Sequence, residues 1–108
     1  MAAIESYRAD PGAAPRMVTA TAVRYLLEEL AAVAPGKTVE VRVPPFGATQ
    51  CIAGPEHTRG TPANVIEMSP RVWIELGCGD VSFDEAVASG EVTASGTRAH
   101  LNGLLPLV

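Results

Sequence analysis

Hydrophobic positions divide the chain into one long helical stretch, several short alternating runs and two short helical stretches. Between Pro15 and Val33, apolar residues recur every three or four positions, at Val23, Leu26, Leu27, Leu30 and Val33. This spacing predicts an amphipathic helix. The helix should begin near Pro15, since proline is tolerated in a first helical turn, and it should end before Pro35-Gly36.

Strand-like segments follow this helix. Thr38 to Val43 alternates apolar and polar side chains, which is typical of a half-buried strand. Pro44-Pro45 ends the strand, because proline has no N–H to donate to a neighbouring strand. Further strands are predicted over residues 46–53, 64–68 and 91–95, each bounded by Gly, Pro or Ser.

Two serines mark the starts of two short helices between the last two strands. Ser69 precedes a proline, and Ser82 stands three residues before Glu85, the spacing of a capping box. The first helix carries Trp73, the only tryptophan, and the second carries Phe83. We interpret this helix pair as a lid over a small sheet, and we expect function to depend on what lies between lid and sheet.

The 108 residues are enough for one domain with one core. Residues 1–14 contain Pro11-Gly12 and are predicted to be a flexible lead-in, followed by a single domain over residues 15–108. The formal net charge of -4 argues against nucleic acid or an anionic membrane surface as a partner.

No apolar run approaches the ~20 residues that a membrane-spanning helix needs, so no membrane insertion is expected. A signal peptide is also not apparent, which predicts a cytoplasmic protein. In that reducing compartment Cys51 and Cys78 should be free thiols.

Reactive residues are few, and each has a structural interpretation. Cys51, His57 and Glu56 contain the groups of a thiol catalytic set, but Cys51 falls in a strand and His57 beyond a turn, which favours a structural cysteine. We therefore predict no enzyme, with a Cys51- or Arg59-dependent activity as the alternative. His57 and His100 match no metal-binding spacing, and neither metal nor cofactor is expected. His57 and Arg59 either form an anion-binding rim or belong to a structural loop.

The stronger candidate site is apolar. Ten residues are placed to meet between helices and sheet and to contact an apolar ligand: Leu26, Leu30, Val41, Phe46, Trp73, Leu76, Phe83, Val87, Leu101 and Leu104. The alternative is that the same residues form an ordinary, completely filled core.

Several short runs resemble the bacterial sterol-carrier-like proteins. These are VEVRVPPF at 39–46, HTRGTP at 57–62 with Asn64-Val65, Trp73, EAVASG at 85–90, ASG at 94–96 and LLPL at 104–107. The resemblance implies the sterol carrier protein fold, an α+β domain with a small mixed, mainly antiparallel sheet of four to five strands and helices on one face. It also implies binding or transfer of a lipid, fatty acyl or sterol-like molecule, without catalytic residues. The alternative function is an accessory or protein-interaction module whose core contains no tunnel.

Free energy limits the size of any empty tunnel. An empty apolar cavity costs about 24 cal/mol per Å³, so a cavity of about 400 Å³ would cost on the order of 10 kcal/mol. The whole stability of a domain is only about 5–15 kcal/mol. The space should therefore hold a ligand or be largely closed by side chains.

Overall fold

The computed structural model describes residues 1–54 and 64–108, which form four helices and four strands. In chain order these are α1 (Ala2–Ala9), α2 (Arg16–Val33), β1 (Val39–Val43), β2 (Gly47–Cys51), β3 (Asn64–Met68), α3 (Pro70–Cys78), α4 (Phe83–Ala88) and β4 (Val92–Ser95).

The predicted starts of α2, α3 and α4 are confirmed. Pro15 is the N-cap of α2. The Ser69 hydroxyl accepts a hydrogen bond from the Val72 N–H at 3.3 Å, and the Ser82 hydroxyl accepts one from the Glu85 N–H at 3.1 Å. Each bond satisfies a backbone donor that a helix end leaves without a partner.

The four strands form one mixed sheet in the order β2-β1-β3-β4. β1 and β3 are parallel at the centre, while β2 and β4 pair antiparallel on the outside. This arrangement confirms the predicted α+β fold with a small, mainly antiparallel sheet.

Only one face of the sheet is buried. In β1, Val39, Val41 and Val43 are buried, and Val41 aligns with the buried Ile66 of β3. On the opposite face, Arg42 aligns with Glu67, and both side chains are exposed. The alternation visible in the sequence of β1 thus sets the inner and outer faces of the sheet.

The chain start differs from its prediction. Residues 1–14 were expected to be a flexible lead-in, but Ala2–Ala9 forms helix α1, which packs against α2. Ile4 and Tyr7, spaced three residues apart on one side of α1, are both buried in the main core. The prediction of a flexible segment is therefore corrected for α1. The buried apolar surface of Ile4 and Tyr7 holds this helix against the core.

Close packing of α2 on α3 forms the centre of the core. The Trp73 indole N–H of α3 donates a hydrogen bond to the Val23 carbonyl of α2 at 3.2 Å. One turn later, Gly77 faces Leu26: a Cβ added to Gly77 would lie 2.9 Å from a Leu26 methyl carbon. A larger residue at position 77 would push the two helices apart.

Candidate functional site

Most of the predicted ligand-contacting residues lie in the core. Of the ten, Leu26, Leu30, Val41, Trp73 and Leu76 have no solvent exposure, and Leu101 and Phe83 are also buried. These residues fill the space between the helices and the sheet. The side chains thus occupy the region in which an apolar ligand site was predicted. That these residues contact a ligand remains a prediction.

The other three residues of the predicted set lie at the edge of this core or outside it. Val87 is 38% exposed, because the inward side of the short helix α4 is formed by Phe83 and Ala86. This corrects the expectation that Val87 faces the sheet. Phe46 is half-buried and lines a separate groove beside α2, while Leu104 is half-buried in the C-terminal turn.

Where the core reaches the surface, a cleft of about 380 Å³ opens between α4 and the C-terminal segment. We call it the α4 cleft. Its apolar lining includes three predicted residues, Leu76, Phe83 and Leu101, together with Val81 and Leu105. Leu76 and Leu101 are buried beneath the floor of the cleft, so the apolar surface that faces the opening belongs to Val81, Phe83 and Leu105.

The turn between α3 and α4 shapes one side of the cleft. α3 ends at Gly79, which has a left-handed backbone with φ of 80°, a conformation that glycine adopts without steric cost. The Asp80 N–H then donates to the Glu75 carbonyl at 2.9 Å. Three residues later the Ser82 cap starts α4, so the chain reverses within a few residues and leaves the cleft beside the turn.

The C-terminal segment forms the other side. The Leu107 N–H donates to the Gly77 carbonyl at 2.8 Å, a bond between the end of the chain and the end of α3. It places Leu105 and Pro106 against the cleft opposite Phe83 and Val81. The closing Leu-Leu-Pro-Leu run therefore contributes to one wall of the cleft. Leu101, which precedes this run, lies beneath the cleft.

The cleft has an acidic rim formed by Asp80, Asp84 and Glu85. Among the described residues, only Asp80 of these three has a cationic partner, Arg8 of α1, at 2.8 Å. The other acids of this part of the chain, Glu75 and Glu91, both pair with Arg71. A ligand in the α4 cleft should therefore carry a neutral or cationic polar group at its exposed end, because a carboxylate would be repelled.

The thiols are poorly suited to nucleophilic attack. Burial raises the pKa of the Cys51 thiol to about 11, and it also raises the pKa of the half-buried Cys78 thiol, an effect that the nearby Arg8 partly offsets. At neutral pH both are thiols rather than the reactive thiolates. Glu56 and His57, the proposed catalytic partners of Cys51, lie outside the described residues. So does Arg59, which was predicted to form an anion-binding rim with His57.

Over residues 1–54 and 64–108, no three His, Cys, Asp or Glu side chains are grouped so that they could hold a metal ion. In the same part of the chain, no helix is both long enough and apolar enough to cross a bilayer.

The family model described as "Bacterial SCP ortholog" matches residues 15–107. The match covers most of the chain, and the protein belongs to this family, which confirms the resemblance to bacterial sterol-carrier-like proteins. Helix α1 precedes the matched residues. No curated protein matches the chain.

The sequence did not predict the roles of Val81, Leu105 and Pro106. Val81 stands next to the Ser82 cap, in the position of a hydrophobic staple residue, and the other two belong to the closing leucine-rich run. Both patterns were visible, but neither shows that the two segments face each other.

Proposed function

We propose that this protein binds a small apolar or amphipathic molecule without chemically changing it, and that the molecule enters through the α4 cleft. The observation that carries the proposal is a cleft of about 380 Å³ at the surface, in which the part-exposed Val81 and Leu105 and the 8% exposed Phe83 lie above the buried Leu76 and Leu101. Membership in the bacterial SCP ortholog family supports a carrier role.

The cleft is a more economical site than a tunnel through the core. Opening a dry cavity of about 400 Å³ between α2, α3 and the sheet would cost on the order of 10 kcal/mol. The α4 cleft is already open to water, so an apolar ligand gains about 25 cal/mol for each Å² of apolar surface that it buries there. Longer ligands would extend outward along the α4 cleft.

The acidic rim supports one class of ligand over another. A neutral amphiphile, such as a monoacylglycerol or a sterol-like alcohol, can place its chain against Val81, Phe83 and Leu105 and its hydroxyls near Asp84 and Glu85. A free fatty acid would bring a third negative charge to these two carboxylates. We therefore expect the α4 cleft to bind neutral ligands more tightly than anionic ones of equal chain length.

A pair of valine substitutions tests this site. Val81→Phe adds bulk inside the cleft, whereas Val87→Phe makes the same change at an exposed position on the outer side of α4. The measurement is the fluorescence of the neutral probe N-phenyl-1-naphthylamine during titration with protein, followed by its displacement with monooctanoylglycerol. We expect binding to weaken about tenfold in Val81→Phe and to stay unchanged in Val87→Phe.

Circular dichroism and thermal unfolding of both variants establish that they are folded. If Val81→Phe unfolds, Leu105→Phe narrows the same cleft from the opposite wall. Wild-type protein that binds no probe, or equal binding by the two valine variants, would refute the α4 cleft as the ligand site.

The second candidate function is a protein-interaction module, and one observation favours it. Core side chains such as Leu26, Leu30 and Trp73 fill the space between the helices and the sheet. A protein-interaction module needs no cavity. Under that function, organic extraction of the purified protein yields no bound lipid, and monooctanoylglycerol produces no displacement at any concentration below its micelle threshold.

A further inference from the structure

We propose a second binding site, for small anionic amphiphiles, in a groove beside the first half of α2. The ligand class is a phosphate monoester or carboxylate that carries a short alkyl or aromatic group. The groove has a volume of about 400 Å³ and is lined by Arg16, Met17, Ala20, Arg24, Pro45 and Phe46. We call it the basic groove. It shares no lining residue with the α4 cleft, so this inference does not depend on the proposed function.

The helical repeat creates the groove. Arg16, Ala20 and Arg24 follow one another at intervals of four residues and therefore lie on the same side of α2. The two arginine Cα atoms are about 12 Å apart along the helix, with only a methyl side chain between them. This short side chain leaves a recess, and Pro45 and Phe46 of the β1–β2 turn form its opposite wall.

Phe46 is held in place from both ends of the recess. The Arg24 Nε–H donates to the Phe46 carbonyl oxygen at 3.0 Å, and the Arg16 guanidinium lies 5.0 Å from the centre of the Phe46 ring. The contact with the ring adds a cation–π attraction. A guanidinium presents five N–H donors, and Arg24 uses its Nε–H on the Phe46 carbonyl while both arginines line the recess.

The lining of the basic groove contains two cationic side chains and no anionic one. Elsewhere in this acidic protein, Arg8, Arg42 and Arg71 each pair with a carboxylate. Arg16 and Arg24 form no such pair over residues 1–54 and 64–108. The acid that follows on this side of α2, Glu28, lies one turn beyond Arg24. The groove thus places two arginines together on a protein with a net charge of -4.

Apolar surface beside the two charges defines the rest of the ligand. The Phe46 ring and Ala20 line the recess, and the Met17 side chain, which is 79% exposed, stands at its mouth. An anionic group between the guanidiniums would accept charge-assisted hydrogen bonds, since arginine presents paired N–H donors to phosphate and carboxylate oxygens. An attached alkyl or aromatic group would then lie on Phe46 and be covered by Met17.

The test compares octyl phosphate with octanol by isothermal titration calorimetry, both as monomers in solution. Octanol can also enter the α4 cleft of the wild type, so the two ligands are compared in Val81→Phe, whose cleft is blocked; there we expect octyl phosphate to bind at least tenfold more tightly than octanol. The double substitution Arg16→Gln/Arg24→Gln should weaken octyl phosphate binding about tenfold, because charge-assisted hydrogen bonds are lost. Arg71→Gln, which removes an exposed arginine far along the chain on α3, should leave it unchanged.

Two further variants separate charge from shape. Ala20→Leu fills the recess and keeps both arginines, so it should also weaken binding, while Arg16→Lys should retain part of it. Val81→Phe, which blocks the α4 cleft, should have no effect on octyl phosphate. Loss of binding in Val81→Phe together with normal binding in the double glutamine variant would assign the phosphate to the α4 cleft and overturn this proposal.

Vesicles of phosphatidylglycerol provide the last comparison. Binding to monomeric octyl phosphate supports a soluble ligand for the basic groove. Binding to the vesicles without binding to the monomer would mean that the arginines recognise a membrane surface, and the proposal would be wrong. Equal affinity of Val81→Phe for octyl phosphate and octanol would also contradict it.

Discussion

The Trp73 side chain of α3 and the Val23 carbonyl of α2 are joined by a buried hydrogen bond of 3.2 Å. The indole ring thus has two structural roles: it fills space between the helices, and its only polar atom has a partner. A buried tryptophan without an acceptor would leave an unsatisfied donor in the core. This contact fixes α3 against α2, and the turn after α3 then positions α4 and the cleft.

Replacing Trp73 should separate these two roles. We expect Trp73→Ala to lower the free energy of unfolding by about 3–5 kcal/mol, because it leaves a large cavity. Trp73→Phe keeps an aromatic ring but loses the hydrogen bond and part of the volume, and we expect a smaller loss of about 1–3 kcal/mol. Urea unfolding followed by circular dichroism measures both. A loss below 1 kcal/mol in Trp73→Ala would contradict this packing of α3 on α2.

Helix α1 should contribute to stability through its apolar side. Ile4 is buried, so Ile4→Ala should cost about 2–4 kcal/mol of unfolding free energy. Arg8→Ala is the control on the same helix, because its ion pair with Asp80 is exposed and should contribute less than about 1 kcal/mol. Chemical denaturation of the two variants distinguishes a docked helix from a flexible segment, for which both changes would be neutral.

The buried Cys51 predicts a loss of stability at alkaline pH. Its pKa rises from a reference value of 9.0 to about 11 on folding, so the protonated thiol is favoured in the folded state. The resulting stability is complete below pH 9 and is lost between pH 9 and pH 11, where the unfolded chain releases the proton first. Two pKa units correspond to about 2–3 kcal/mol.

Cys51→Ala is the comparison for this pH effect. The variant starts from a lower stability at pH 7, but its unfolding free energy should fall less steeply between pH 9 and pH 11 than that of the wild type. Tyr7 and Cys78, whose pKa values burial also raises, are present in both proteins and contribute the common part of the decline. Parallel pH profiles would show that Cys51 does not titrate in this range.

The two cysteines should differ in reactivity. Cys51 is fully buried on the inner face of the sheet, whereas Cys78 is partly exposed at the end of α3. We expect iodoacetamide at pH 8 to modify Cys78 first, and Cys51 only at the rate of local or global opening. Mass spectrometry of the time course, with Cys78→Ser as control, measures this. Rapid labelling of Cys51 in Cys78→Ser would revive the thiol-dependent activity as a hypothesis.

Local sequence signals predicted the elements well. The alternation of Val39, Val41 and Val43 identified the buried face of β1, and the Ser69 and Ser82 caps located two helix starts. These signals depend on neighbouring residues only, so they can be interpreted without knowledge of the fold.

The missed features depend on contacts between distant segments. Ile4 and Tyr7 have helical spacing, but they are buried only because α1 packs on α2 and its neighbours. The first residues alone do not show this packing, so they were predicted to be flexible. Val87 lies four residues after Phe83, a spacing that also fits an inward side chain, yet α4 packs through Ala86 instead. The orientation of so short a helix is decided by its tertiary contacts.

The α4 cleft itself could not be located from the sequence. Its walls are residues 79–85 on one side and 101–103, 105 and 106 on the other, and the bond from the Leu107 N–H to the Gly77 carbonyl joins the chain beside them. Leu76, Phe83 and Leu101 were identified as apolar candidates, but the sequence placed them in an enclosed space. The structure places them where the core meets the surface.

The central claim is that the α4 cleft receives the apolar ligand, and amide chemical-shift mapping tests it most directly. Titration of ¹⁵N-labelled protein with monooctanoylglycerol should shift the backbone amides of Leu76, Phe83 and Leu101, and Val81→Phe should abolish these shifts while Val87→Phe preserves them. An unchanged spectrum, or shifts confined to the outer sheet face around Arg42 and Glu67, would contradict the account.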